Sequence, residues 1–436
     1  MNSEEDVTTP QQWLILIILI VVQFTAIVDF MVVIPLAPDL KEVFGLTTTQ
    51  FSWVVSSYTF AAGIVALAAS PFLDRFSRRF TFLVCYAGFL LGTLACGIAP
   101  SYVTLLCARI LTGAFGGLLG GTALAIIGDT FPEHRRGRAS GALMTAFALA
   151  SVCGVPIGIV LGQNYGWNLP FFVITGLGLP VLVMAYLALP ALDAHLHSRS
   201  RSSFGAQLVQ IVSDTNHQWA FALTTAMQFG SFMVVTSASD FLVNNVGIDQ
   251  HDLPYAYVLG GALVLITSPL VGRWADRVGK PPVYRVMAWA AAAVFLTLTH
   301  LPATSMFVAL PVLSLLMVCN GGRMVPAMAM ITSSVAPHRR GSFLSVNSAV
   351  QHVASGIGAS CSGLILTGAT DGPISGYGTV GWIAAVVTVG SIWIAGQLRI
   401  YQPDAVVEEI TPEEAIAIAG SINMDAPEPL IPAEAS

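Results

Sequence analysis

"GRWADRVGKP", residues 272–281, and "SPFLDRFSRR", residues 70–79, are two spellings of one phrase. Each places a small residue (Gly272, Ser70) four positions before an Asp-Arg pair, Asp276-Arg277 or Asp74-Arg75. Each continues into further basic residues, Lys280 and Arg285 or Arg78 and Arg79. The two aspartates are 202 residues apart, and a second echo, "HRRG" at 134–137 and again at 338–341, is 204 residues apart. In a chain of 436 residues of which 10% are charged, two echoes at nearly one spacing indicate an internal duplication.

Composition says where such a chain resides. Hydrophobic residues make up 55% of it, and soluble domains carry roughly 25% charged residues. The chain therefore reads as a polytopic membrane protein. Its net charge of −6 misleads, because acids crowd into the tails, from Glu4, Glu5 and Asp6 to Asp425, Glu428 and Glu434. Apolar runs of about 20 residues number twelve. They lie near 13–36, 50–71, 80–99, 102–127, 138–162, 168–190, 219–243, 254–273, 282–300, 304–333, 341–368 and 378–398. The first is too long for a signal-peptide core and lacks a basic leader, so it is expected to remain as helix one.

Lys and Arg fix the expected orientation. Arg75, Arg78, Arg79, Arg135, Arg136, Arg138, Arg199, Arg201, Arg273, Arg277, Lys280, Arg285, Arg339 and Arg340 fall in or beside loops on one side, while the opposite loops carry Lys41. By the positive-inside rule the basic side is cytoplasmic, in a cell membrane, with both termini there. The expected organisation is a tail (1–12), a six-helix bundle (13–190), a cytoplasmic linker (191–218), a second bundle (219–398) and an acidic tail (399–436), largely disordered by composition. The fold class is all-α membrane protein, with twelve helices in two pseudo-symmetric halves.

Other function classes find no support. The six cysteines sit in apolar stretches without metal spacing, so neither a disulfide framework nor a metal site is expected. No Walker loop, Rossmann fingerprint or nucleophile elbow is present, so neither an enzyme nor a bound cofactor is expected. There is no basic platform for nucleic acid. The expected partners are a small solute, protons and the bilayer, with the chain acting as a monomer.

Helix one ends "VDFMVVIPLAP", helix four carries "RILTGAFGGLLGG", helix five carries "GVPIGIVLG" and the two halves carry the charged turns at 70–79 and 272–281. With these motifs in this order, the chain resembles the major facilitator superfamily, in particular its twelve-helix drug/proton antiporter and sugar-efflux branch. The 272–280 phrase fits the family's loop motif, whereas Ser70 and Ser77 stand where that motif has glycines. The stretches quoted from helices one, four and five are similar to antiporter motifs. "DTFPEHRRGRASG" and "GWNLPFF" are similar to the efflux branch. The resemblance implies a secondary transporter that exports a drug-like or sugar-like solute by proton antiport with alternating access. Uptake, uniport and a non-transporting sensor on the same scaffold stay open as alternatives.

Several residues stand out on physical grounds. Asp29 is the acidic residue well inside helix one, where an ionised carboxylate is costly. It is expected to face a cavity, meet a cation or be neutral, as a proton carrier, a solvated acid near the mouth or a substrate contact. Arg109 in helix four lies at a similar depth, roughly 10 Å from the same surface, and is expected either as the matching cation or as an arginine that snorkels outward or caps backbone carbonyls. Gly113, Gly117 and Gly121 follow it at intervals of four, a stripe for close helix approach. Helix five carries a like face, Ala146, Ala150, Gly154, Gly158 and Gly162, beside a kinking Pro156. Packing and gating is its expected role. In the second half Gln228, Asn320, Arg323, Asn347 and Gln351 are the candidates for a substrate cavity, or for bonds between helices; Arg323 has no acid at an obviously equal depth. Asp74, Arg75, Arg78, Gly154, Pro156, Gly158, Gly272, Asp276, Arg277 and Gly279 are the expected gating residues, with the second charged turn, glycine at both ends, docking more tightly than the first.

Overall fold

In the computed structural model, residues 10–73, 76–190, 204–336, 339–367 and 372–401 are described. Asp74 and Arg75, residues 1–9, the first part of the stretch expected to be a linker (191–203) and nearly all of the acidic tail lie outside them. The first set of long helices is α1 (Pro10–Val32), α2 (Thr48–Leu73), α3 (Arg78–Gly97), α4 (Tyr102–Thr130), α5 (Glu133–Leu149, continued by Ala150–Gly154 and Val155–Tyr165) and α6 (Leu169–Ala188). The second is α7 (Thr215–Val235), α8 (Leu253–Val278), α9 (Lys280–Thr299), α10 (Met306–Ser333), α11 (Arg340–Ile365) and α12 (Tyr377–Gln397).

Eleven of these are long and apolar enough to cross a membrane. The other, α11, carries Asn347, Gln351, His352 and five serines from 345 to 362. It tolerates them because it packs against α2 and α7, where protein neighbours supply hydrogen-bond partners that lipid cannot.

The duplication is visible in the packing. α1 lies against α5 and α6, α2 and α3 against α4, and α3 against α6. α7 lies against α11 and α12, α8 and α9 against α10, and α9 against α12, the same scheme shifted by six helices. The two sets meet where α2 packs on α11 and α5 on α8. The repeated "HRRG" performs one task twice. Arg136 Nε donates to Phe131 O at 3.0 Å and Arg340 Nε to Val335 O at 3.3 Å, so each arginine caps the carbonyl end of the preceding helix.

Several boundaries differ from the sequence expectation, for local reasons. Helix one stops at Val32 because Pro35 and Pro38 cannot continue its hydrogen-bond ladder. The chain turns into a short helix, Ala37–Phe44, that ends on Gly45 at φ 62°. Helix seven starts earlier than expected, at Thr215, because Asp214 accepts from the Asn216 and His217 amides as an N-cap. Beyond Val235 it breaks and resumes as Ala238–Phe241. A further helix, Phe204–Ser213, occupies part of the expected linker.

Glycine faces set the closest packing. A Cβ on Gly158 would lie 2.5 Å from Val32 Cγ2 and one on Gly162 2.6 Å from Leu36 Cδ2, so α5 and α1 run in parallel contact with Gly154 against Val28. On α4, Gly113 meets the Tyr58 backbone and Gly117 the Ala62 backbone and side chain, while Gly121 faces open space, so the expected stripe works over two of its three positions. The kink expected at Pro156 takes the form of a π-helical turn, Ala150–Gly154, immediately before it.

Candidate functional site

Asp29 and Arg109 meet. Arg109 Nη1 donates to Asp29 Oδ2 at 2.8 Å, and neither side chain is more than 1% exposed. α1 and α4 bring them together because both charges were at one depth and only a neighbour could satisfy either. The pair is incompletely satisfied. Asp29 Oδ1, Arg109 Nε and Nη2, and Thr93 Oγ1 on α3 are buried without hydrogen-bond partners among the described residues. The guanidinium instead lies 4.5 Å above the ring of Tyr58 on α2. Tyr58 stacks on Phe30 at 5.0 Å, and Phe30 touches Phe232 of α7 at 5.9 Å. An aromatic chain thus runs from the ion pair to the second set of helices. Sequence reading missed Tyr58 and Thr93, since an aromatic or a threonine in an apolar helix carries no signal of its own.

The polar residues of the second half gather along α7. Thr224 donates to Asn347 Oδ1 at 2.7 Å, Gln228 to Ser355 at 3.5 Å, and Ser231 to Asn320 Oδ1 at 3.1 Å. Arg323 donates to Thr388 at 3.2 Å, Met227 O at 3.1 Å, Asn320 Oδ1 at 2.9 Å and the hydroxyl of Ser231. Arg323 is fully buried, so in this conformation it ties α7, α10 and α12 together through neutral acceptors and faces no open space. Ser231 stands 202 residues after Asp29, the repeat interval. The α1–α4 contact is therefore built with an aspartate, and its α7–α10 counterpart with a serine. Gln228, Asn320 and Gln351 are half-buried and Asn347 is buried.

The gating residues divide. Arg78 pairs with Asp129 at 3.6 Å, joining α3 to α4. Gly279 ends α8 at φ 103°, a conformation that favours glycine. Asp276 and Arg277 are exposed and enter no ion pair or hydrogen bond among the described residues. The expected docking of this turn is therefore absent from this conformation.

The face bearing Lys41, opposite the arginine-rich loops, is different. There Lys41 Nζ lies 2.8 Å from Asp240 Oδ2, each side chain 1% exposed, in an ion pair between the two sets of helices. Gln250 Nε2 donates to Asp39 Oδ2 at 2.5 Å, Gln163 Nε2 to Gln250 O at 2.7 Å, and Thr49 Oγ1 to Gly363 O at 2.6 Å, all between the sets. Burial holds the Asp39 carboxyl above the usual carboxylate range against the opposing pull of Gln250. The sequence did hold a clue: Lys41 was the lone cation of its loops, and Asp240 an acid at the same level.

Among the described residues no cluster of His, Cys, Asp and Glu could hold a metal, and all six cysteines are free. Comparison with known proteins supplies the remaining findings. The profile of the Major Facilitator Superfamily matches residues 19–219 and, again, 220–433. The puromycin resistance protein pur8 of Streptomyces alboniger is 28% identical over 428 residues, covering 85% of each chain. The multidrug resistance protein Stp of Mycobacterium tuberculosis is 29% identical over 192 residues, 44% of this chain and 35% of that one. Among solved structures, a D-xylose-proton symporter superposes with a TM-score of 0.72 at 16% identity, covering 88% of this chain and 97% of that one, which establishes likeness of fold.

Proposed function

The chain belongs to the Major Facilitator Superfamily of secondary transporters, and from that premise we propose that it exports a small organic solute in exchange for protons. The family consists of transporters rather than enzymes, and the chain is a multi-pass membrane protein. In the proposed orientation the arginine-rich face and both termini are cytoplasmic. The observation that carries the reading is the buried Asp29–Arg109 pair, beside relatives named for drug resistance.

Asp29 is the proton site of this reading. Ionised, it is held by Arg109; protonated, it releases the guanidinium, which keeps the Tyr58 face as its neighbour. The two states differ by one charge in a water-poor interior, where the difference is worth most. The contact of Phe30 with Phe232 links that change to the second set of helices. Gln228, Asn320 and Gln351, half-buried along α7, α10 and α11, supply the hydrogen-bonding wall of the solute path. Asn347 and Arg323 hold that wall in place.

The test is flux in proteoliposomes under an imposed pH gradient, with puromycin as the first probe. Wild-type protein accumulates the probe against its gradient. Asp29→Asn loses the driven accumulation but keeps probe-for-probe exchange. Undiminished driven flux in Asp29→Asn removes Asp29 as the proton site.

A further inference from the structure

Two carboxylates on the Lys41 face occupy equivalent points of the duplication. Asp39 follows α1 in the short helix Ala37–Phe44, and Asp240 follows α7 in the short helix Ala238–Phe241, 201 residues later. Each is gripped from the opposite set of helices. Asp240 receives Lys41, which also donates to Thr48 at 3.3 Å; Asp39 receives Gln250. Thr48 opens α2 and Gln250 stands just before α8, and these two are 202 residues apart. One carboxylate from each half is thus clamped across the halves: Asp39 by Gln250 just before α8, and Asp240 by Lys41 of the short helix Ala37–Phe44, which in turn donates to Thr48 at the start of α2.

The two clamps are unequal. Asp240 is fully occupied: Lys41 holds one oxygen, and Asn244 Nδ2 donates to the other at 2.6 Å. It is an ion pair with both charges withdrawn from water. The Asp39 clamp is a single amide–carboxylate bond at a half-buried position, steadied by Gln163 on the Gln250 carbonyl.

We propose that these clamps are the latch of the Lys41 face, and that Lys41 and Asp240 are positioning residues of the transport cycle which must part each time that face opens. The proposal rests on the reading of the chain as an alternating-access transporter. An ion pair suits this task better than an apolar contact. While the face is closed, one charge cannot leave alone without stranding the other in a dry site. When the face opens, both are rehydrated together, and hydration offsets the lost attraction. The latch therefore resists partial opening and permits complete opening.

The test reads conformation without any substrate. Spin labels are placed at Val103 and Phe307, exposed first-turn positions of α4 and α10, 204 residues apart on the Lys41 face, in a background without the native cysteines. Pulsed electron resonance in nanodiscs then gives the distance between the two halves. The unaltered latch gives predominantly the short distance. Lys41→Gln and Asp240→Asn each lower the closed-to-open ratio at least about tenfold. The exchanged pair, Lys41→Asp with Asp240→Lys, recovers the short distance, a result that general damage to the fold would not produce. Gln250→Ala, which leaves the ion pair in place, shifts the ratio by a smaller factor, about threefold. Unchanged distances in all the single variants overturn the proposal, as does failure of the exchanged pair to recover in protein that elutes as a single species. If the distances respond while wild-type protein shows no proton-driven flux, the latch stands and the exchange reading falls. If flux is proton-driven and the distances do not respond, the latch alone falls.

Discussion

Replacing Arg109 by Gln deprives Asp29 of its cation at a site that water does not reach. The ion pair closes at 2.8 Å with both side chains at most 1% exposed. At that separation and an effective dielectric of 20 the attraction is roughly 6 kcal/mol, opposed by several kcal/mol of desolvation for each ion. The intact pair therefore contributes little net stability, whereas its rupture does not come cheaply: a lone buried charge costs about 3–5 kcal/mol. Both single variants, Arg109→Gln and Asp29→Asn, should be destabilised, the first more because the carboxylate loses its one described side-chain hydrogen bond. The double variant strands neither charge and keeps amides of similar shape in contact. Its loss should fall short of the sum of the single losses by at least about 2 kcal/mol. Thermal unfolding of the four proteins in one detergent, followed by fluorescence-detected chromatography, gives the comparison. Single losses that add in the double variant would refute the shared site, and with it the assignment of Asp29 and Arg109 to one proton-handling unit.

Three further outcomes follow from individual positions. Gly113→Ala drives a Cβ into the Tyr58 backbone, which cannot move aside as a side chain can, and should cost about 1–3 kcal/mol of stability and disturb the ring beneath Arg109; Gly121→Ala, with open space around it, should be neutral in the same unfolding assay. Gly279→Ala meets a backbone at φ 103° and should cost on the order of 1–3 kcal/mol, while Gly272→Ala, whose new Cβ meets only an ordinary contact with Val325 at 3.8 Å, should leave the melting temperature near wild type. Asp39 gives the Lys41 face a pH dependence: burial raises its carboxyl above the usual range in the closed state, with Glu42 adding to the rise and Gln250 and His251 opposing it. Closure is thus favoured below the ordinary carboxylate range and loses that contribution as pH rises through the raised value; the spin-label distance should lengthen over that interval, and Asp39→Asn should flatten the change.

Much of this molecule was legible in one dimension. Hydropathy and the spacing of its arginines disclosed a duplicated chain of long apolar helices, because a bilayer imposes length and polarity on each segment separately. The same constraint made Asp29 and Arg109 conspicuous. A charge inside an apolar run is expensive enough to require a partner, and helix rise converts residue number into depth, so two opposite charges at one depth could be matched from residue numbers alone. The repeated "HRRG" was legible as a repeat, though not as a pair of carbonyl caps.

What the sequence left undecided was rotation and neighbourhood. Residue number fixes depth, whereas the direction in which a side chain points depends on which helix packs beside it. Arg323 stood out for lacking an acid, and only the packing of α7, α10 and α12 showed that a serine, an asparagine, a threonine and a backbone carbonyl satisfy it. Tyr58 became part of the ion-pair site solely because Gly113 and Gly117 let α2 approach α4. Lys41 and Asp240 lie 199 residues apart, and their union depends on how the halves meet in one conformation of the cycle. The sequence by itself determined the helices, their order and the depth of each charge, since these follow from the cost of placing each residue in lipid. The tertiary structure decided who partners whom, since that depends on close packing between segments distant in the chain, and no segment carries that information alone.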